Sequence, residues 1–154
     1  MRKIMTLCLI CKDNKVLLGL KKRGFGIGKW NGFGGKVNKG ETIEEATKRE
    51  LFEESGLTTN NIEKMGVLDF SWHSKPEILQ VNIFKCTNFS GILTENEEMK
   101  PEWFDLDKIP FENMWPDDKH WFPLFLEGKK FNGKFVFDDN NSILKQELKE
   151  IKEV

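Results

Sequence analysis

Three carboxylates fall within five residues in the stretch Arg49-Glu50-Leu51-Phe52-Glu53-Glu54. On a helix, which turns about 100° per residue, Glu50 and Glu54 lie one above the other with Glu53 beside them. A run of acids is ordinarily a solvated face. Pairing argues otherwise here: Glu44 has Lys48 four residues on and Glu45 has Arg49, whereas Glu50 and Glu54 have mainly each other. Like charges one turn apart repel unless a cation lies between them, and hard divalent ions take oxygen ligands. The pattern points to a magnesium site. Magnesium is typically held by a few carboxylates together with water and substrate phosphates, so a phosphorylated substrate follows. Just upstream, Arg23 to Gly40 holds seven of the thirteen glycines. Such a loop either bends tightly or approaches another group closely, and its backbone N–H groups could cradle phosphates.

Trp115 offers a broad face on which a base could stack, although core packing explains most single tryptophans. Asp117 and Asp118 beside it fit the first turn of a helix equally well. Cys8 and Cys11 form a C-x-x-C with no second pair, and three-residue spacing on a strand puts them on opposite faces, so they read as small apolar residues. His73 and His120 read as surface or packing residues. Three cysteines are too few for a secreted disulfide framework, which favours a reducing compartment.

These groups must be positioned by a single domain, residues 1–154, with no repeat or linker. A chain of 154 residues buries roughly 70% of its unfolded surface, enough for a core and a pocket. A net charge of −1 excludes a protein whose main work is gripping a nucleic-acid backbone. No segment reaches the ~20 apolar residues of a membrane span. The basic-then-apolar start imitates a signal sequence, but Asp13-Asn14 and a second apolar run make a strand hairpin of it. Strands are expected at Ile4–Cys11, Val16–Leu20, Met65–Trp72, Ile78–Cys86, Glu102–Leu106 and Phe131–Phe137. Thr42 and Glu45 form a capping box for a helix ending at Ser55, with Gly56 as its stop. A second helix should run from about Pro116 to Leu126. Ile143–Ile151 suits a strand or a helix, and Glu95–Glu98 reads as loop.

The spacing Gly35-x5-Glu41-x7-Arg49-Glu50-Leu51-x-Glu53-Glu54-x-Gly56-Leu57 resembles the Nudix box without departure. The resemblance implies an α/β/α sandwich around a central mixed β-sheet. It also implies hydrolysis of a nucleoside diphosphate linked to another moiety, with Mg2+ or Mn2+ as cofactor. Leu18–Gly26, Lys29–Lys36, Asn113–Asp118 and Trp121–Pro123 are further similar to the branch of the family acting on oxidised purine nucleoside triphosphates such as 8-oxo-dGTP and 2-hydroxy-dATP. That branch sanitises the nucleotide pool by releasing the monophosphate and pyrophosphate.

By this resemblance, Glu50, Glu53, Glu54, Glu98 and the Gly34 carbonyl serve the metal, and either Glu54 or Glu98 deprotonates water. Arg49 orients the glutamates and Glu41 supports the loop. The substrate would meet Thr6, Lys21, Phe25, Asn31, Phe33, Gly34, Gly35, Lys36, Trp115, Pro116, Asp117 and Asp118. Trp72, His73 and Asn82 lie in strands that would form the remaining pocket wall. The expected partner is the nucleotide alone, with no nucleic-acid polymer or membrane, and the expected state is a cytoplasmic monomer, with nucleus or mitochondrion as further locations. Competing readings are a Nudix enzyme for a dinucleotide, nucleotide sugar or capped RNA, and a nucleotide-binding sensor without turnover.

Overall fold

A computed structural model describes residues 1–154. Its elements are β1 (Arg2–Lys12), β2 (Lys15–Lys21), β3 (Trp30–Asn31), α1 (Ile43–Ser55), β4 (Leu57–Trp72), β5 (Ile78–Gly91), β6 (Met99–Asp105), α2 (Asp118–Leu126), β7 (Lys130–Phe137) and β8 (Ile143–Ile151). The strands form one eight-stranded sheet in the order β3-β2-β1-β5-β4-β7-β8, with β6 on β2. β1 runs parallel to β5 and β4 parallel to β7, while the other pairs are antiparallel. The sheet is therefore mixed, as expected.

The β1–β2 hairpin turns at Asp13 and Asn14, which adopt φ of 53° and 61°. Both residue types tolerate the left-handed region that a tight hairpin demands. β1 stays with β2 only from Ile10 to Lys12 and then diverges. The glycine-rich chain fills the opening: β3 pairs with Gly19 and Leu20, and Phe33 and Lys36 bridge to Cys8 and Met5. The loop thus becomes part of the sheet.

Side-chain alternation along β1 builds a core on each face. Leu9 joins Val16, Ile83 and the α2 residues Trp121, Phe122 and Phe125 on one side. Cys8 and Ile10 join Leu17, Phe84, Cys86 and Leu51 of α1 on the other. Helices on opposite faces make the α/β sandwich. Cys11 packs against the α2-side core, opposite to Cys8.

α1 begins with the expected capping box at Thr42 and Glu45 and stops at Gly56, whose φ is 81°. Several boundaries differ from the sequence reading, among them that of β6, which begins at Met99 rather than Glu102. β4 starts at Leu57 and β5 runs on to Gly91, because the polar stretch after Leu57 pairs with β5 through several register shifts without burying an alternating face. α2 begins at Asp118, with Pro116 and Asp117 left in the preceding turn. Ile143–Ile151 is a strand, pairing antiparallel with β7.

Candidate active site

Arg49 organises the acids of α1. Its Nε donates to Glu41 Oε2 at 2.7 Å, its Nη1 to Glu50 Oε1 at 2.6 Å and, more weakly, to Glu53 at 3.3 Å. Its Nη2 reaches the Lys36 carbonyl at 3.0 Å, tying the helix to the loop. The guanidinium beside Glu41 holds that carboxyl below its usual range, helped by the Asn38 N–H. Glu50 moves the other way, since burial, with repulsion from Glu53 and Glu41 added, outweighs the lowering by Arg49.

Glu54 points from α1 into the sheet opening. It is buried, and its Oε1 accepts the Gly34 N–H at 2.8 Å. Burial pushes its pKa up to about 8, with repulsion from Glu50 and Glu98 adding to the rise and the Gly34 N–H and Lys21 opposing it. Gly34 and Gly35 are required by close approach: a Cβ on Gly34 would lie 1.9 Å from the Thr6 carbonyl oxygen, and one on Gly35 2.6 Å from Glu50 Oε2.

The expected phosphate cradle is not what the glycine loop builds. The N–H groups of Ile27, Gly28 and Lys29 bond to carbonyls, that of Gly32 to Asn31 Oδ1, and those of Gly34 and Gly35 to Glu54 and Thr6. These donors are committed internally because the loop is woven into the sheet.

Glu98 approaches from the loop before β6, where the Lys22 N–H donates to its carbonyl at 2.8 Å and Arg23 Nη2 lies 3.3 Å from its carboxylate. No three carboxylates of the chain converge as a ready-made chelate. The acids expected on one ion are held apart by Arg49, Gly34 and Arg23. The donor set still fits a hard cation: oxygen ligands, crowded so that Glu50 and Glu98 each disfavour ionisation of Glu54.

Beside Glu54 opens a cavity of about 350 Å³. Among the expected residues, Thr6, Lys21, Phe25, Asn31, Gly34 and Gly35 line it, as do Trp115, Asp117, Asp118 and Glu54 itself. Three others do not. Phe33 is fully buried in the α1-side core, since alternation turns it away from the adjacent Gly32 and Gly34, which face the cavity. Lys36 is exposed and offers only its carbonyl to Arg49. Pro116 lines a separate shallow groove with Lys119 and His120. Glu50, Glu53 and Glu98 lie outside the cavity, at its Glu54 end.

Trp72 does line the cavity, whereas His73 and Asn82 do not. Asn82 donates to the Met5 carbonyl at 3.2 Å. Lys29, Phe70, Val81 and Phe137 were missed as wall residues. Strand alternation relative to Trp72 could have flagged Phe70; Lys29 carries no such local signal.

The aromatic wall surrounds a buried acidic pair. Trp121 Nε1 donates to Asp117 Oδ2 at 2.8 Å, whereas Asp118 Oδ2 is buried without a hydrogen-bond partner. Burial raises both carboxyls, Asp117 to about 6, and repulsion from Asp117 takes Asp118 well above the carboxylate range. Phe25, 68% exposed, stacks on Trp115 with ring centroids 5.1 Å apart, and Lys29 Nζ lies 5.4 Å from the same ring. Such a site can stack a flat heterocycle, exchange hydrogen bonds with its edge and hold a charged tail at the glutamates.

Residues 1–125 match the NUDIX domain. The chain belongs to the Nudix family. This Nudix protein is 52% identical over 149 residues to the oxidized purine nucleoside triphosphate hydrolase of Mus musculus, covering 97% of this chain and 96% of the mouse protein. It is 51% identical to the protein of the same name from Danio rerio, covering 99% of this chain and 97% of the fish protein. Its fold resembles that of a MutT protein from Bacillus halodurans, with a TM-score of 0.86, 30% identity, and coverage of 95% and 97% of the two chains. Nudix hydrolases use divalent metal ions, which accords with the acidic donors of α1.

Proposed function

We propose that this Nudix hydrolase converts oxidised purine nucleoside triphosphates, such as 8-oxo-dGTP and 2-hydroxy-dATP, to the monophosphate and pyrophosphate. The observation that carries the reading is the buried Asp117–Asp118 pair with its unpartnered oxygen, set in an aromatic cavity that ends at Glu54. A plain apolar ligand would not compensate that oxygen, whereas a purine edge with an added keto or hydroxyl group offers both donors and acceptors. The near-full-length likeness to the mouse and fish hydrolases supports the same substrate class.

In this reading the base lies against Trp115 and Phe25 while Asp118 donates and Asp117 accepts. Lys21, beside Glu54, faces the charged end of the ligand, whereas Lys29 stands over Trp115 at the base end. Glu50, Glu53, Glu54, Glu98 and the Gly34 carbonyl would hold Mg2+, with Mn2+ able to replace it. When bound, the ion offsets phosphate charge and lowers the pKa of water. Glu54 or Glu98 takes a proton from water, the water oxygen bonds to the α or the β phosphorus, and the phosphoanhydride bond between them breaks, separating the monophosphate from pyrophosphate.

Pyrophosphate release from 8-oxo-dGTP, 2-hydroxy-dATP, dGTP and dATP, each with Mg2+ and with chelator, tests the reading. Metal-dependent preference for the oxidised bases is expected. Equal rates on all four nucleotides would discard the sanitising role, and no turnover with tight nucleotide binding would leave a sensor.

A further inference from the structure

Glu98 stands outside α1, on an exposed acidic loop that includes Glu95 and Glu97. Its negative charges repel one another and the acids of α1, so the loop needs a specific attachment to keep Glu98 near Glu54. The side chain of Asn96 provides it. Nδ2 donates to the carbonyls of Glu53 and Glu54, each at 3.1 Å. Oδ1 accepts the N–H of Glu98 at 2.8 Å and that of Met99 at 2.9 Å. The backbone adds to the clamp, with the Asn96 N–H on the Met99 carbonyl at 3.0 Å and Lys22 Nζ on the Asn96 carbonyl at 2.8 Å.

An asparagine amide carries two donor hydrogens and an oxygen with two lone pairs, and all four are used here. The partners also fix which way the amide faces, because carbonyls lie on one side and N–H groups on the other. The two carbonyls belong to the last turn of α1, where helix carbonyls lack intrahelical partners. One planar group therefore ties the end of the glutamate helix to the N–H of the one proposed carboxylate ligand that the helix does not carry.

We propose that Asn96 is a positioning residue for hydrolysis, setting Glu98 against Glu53 and Glu54 by bridging the end of α1 to the acidic loop. The proposal rests on the metal role given to Glu98 above. Few other side chains fit. Aspartate keeps two acceptors but loses both donors and sets a negative charge against two carbonyls at the negative end of the helix. Alanine removes all four bonds.

The test compares the wild-type chain with Asn96→Ala, Asn96→Asp, Glu98→Gln and the double variant Asn96→Ala/Glu98→Gln. Groups that orient metal ligands typically contribute about 10–100-fold to affinity or activity. A fall in kcat of that order is expected for both Asn96 variants, with the KM for nucleotide unchanged. The Kd for Mn2+ in nucleotide-free protein, read by paramagnetic resonance, should weaken by a similar factor. Hydrogen exchange at the Glu98 and Met99 amides should accelerate in Asn96→Ala. If Asn96 acts through Glu98, the alanine change costs little further once Glu98 is glutamine.

Wild-type kcat and Mn2+ affinity in Asn96→Ala would overturn the proposal. So would a double variant whose losses multiply in full, because Asn96 would then act independently of Glu98. Asn96→Asp guards against simple unfolding, since it retains the acceptors that cap the loop. If the wild-type chain turns over no nucleotide, the hydrolytic reading falls, while the Mn2+ titration and amide exchange still decide the role of Asn96.

Discussion

Asp118 keeps its Oδ2 buried and without a partner, while the neighbouring Asp117 accepts the Trp121 indole N–H at 2.8 Å. That asymmetry decides which carboxyl carries a proton. The indole bond favours the anion of Asp117, while burial and then repulsion from Asp117 hold the Asp118 carboxyl well above its usual range. In the proposed reading, Asp118 is thereby the donor and Asp117 the acceptor toward the base.

A pH dependence of stability follows. Unfolded aspartate titrates near about 3.9, and both folded values lie above it. From that pH upward the native state holds protons that the unfolded state has lost, so stability falls as pH rises through the folded values. Asp118→Asn removes its share of the penalty. Its melting temperature relative to wild type should therefore climb as pH rises from the acid side. A difference that stays constant across that range would show that Asp118 carries no buried proton. The same variant should change the relative rates on 8-oxo-dGTP and 2-hydroxy-dATP; unchanged rates on both at every pH would show that the Asp118 proton takes no part in reading the base.

Glu54→Gln separates metal chemistry from base binding. The glutamine can still accept the Gly34 N–H, so the fold should survive. Turnover should fall by roughly 10²–10⁴-fold, the range for loss of a general base. Without metal the wild-type carboxyl, pushed up to about 8 by burial, weakens the fold progressively as pH rises toward that value, and the variant escapes this. Added Mg2+ should reverse the order, raising the wild-type melting temperature more than the variant's. Equal metal-induced shifts in the two proteins would remove Glu54 from the metal site.

The acids of α1 were legible in the sequence because their relations are local: helix spacing and a capping box fix Glu50, Glu53 and Glu54 relative to Arg49. The glycine loop was legible as a close approach and misread as a phosphate cradle. Its N–H partners, Glu54 and Thr6, come from distant parts of the chain. Phe33 was placed in the pocket by its neighbours in sequence, yet strand geometry sends adjacent side chains to opposite faces. Lys29 and Phe137 reach the cavity only through the packing of separate segments, which no local pattern encodes.

Gly34→Ala tests the threading of the loop through the sheet. Its Cβ would meet the Thr6 carbonyl oxygen at 1.9 Å, a backbone atom that cannot step aside alone. Overpacking of this kind costs about 1–3 kcal/mol or more, and here it also displaces the N–H that holds Glu54. Urea unfolding should show that loss together with a sharp fall in kcat. A variant of wild-type stability would mean that the loop is free to move away from β1.

Trp115 is the residue on which base binding should depend most directly. Its ring is stacked by Phe25 and faced by Lys29, so one side is already shielded and its charge environment set. Stacking a base on an aromatic side chain is worth about 1–3 kcal/mol, or roughly 5–150-fold in affinity. Trp115→Ala should raise the Kd for 8-oxo-dGTP within that range, and Trp115→Phe should recover part of it. The glutamates are untouched by either change, so kcat at saturating nucleotide should fall far less than kcat/KM. Titration of each variant with nucleotide, alongside thermal melting to confirm the fold, reads the two effects separately. A Kd that does not move in folded Trp115→Ala would place the base elsewhere in the cavity, against Trp72, which also lines it.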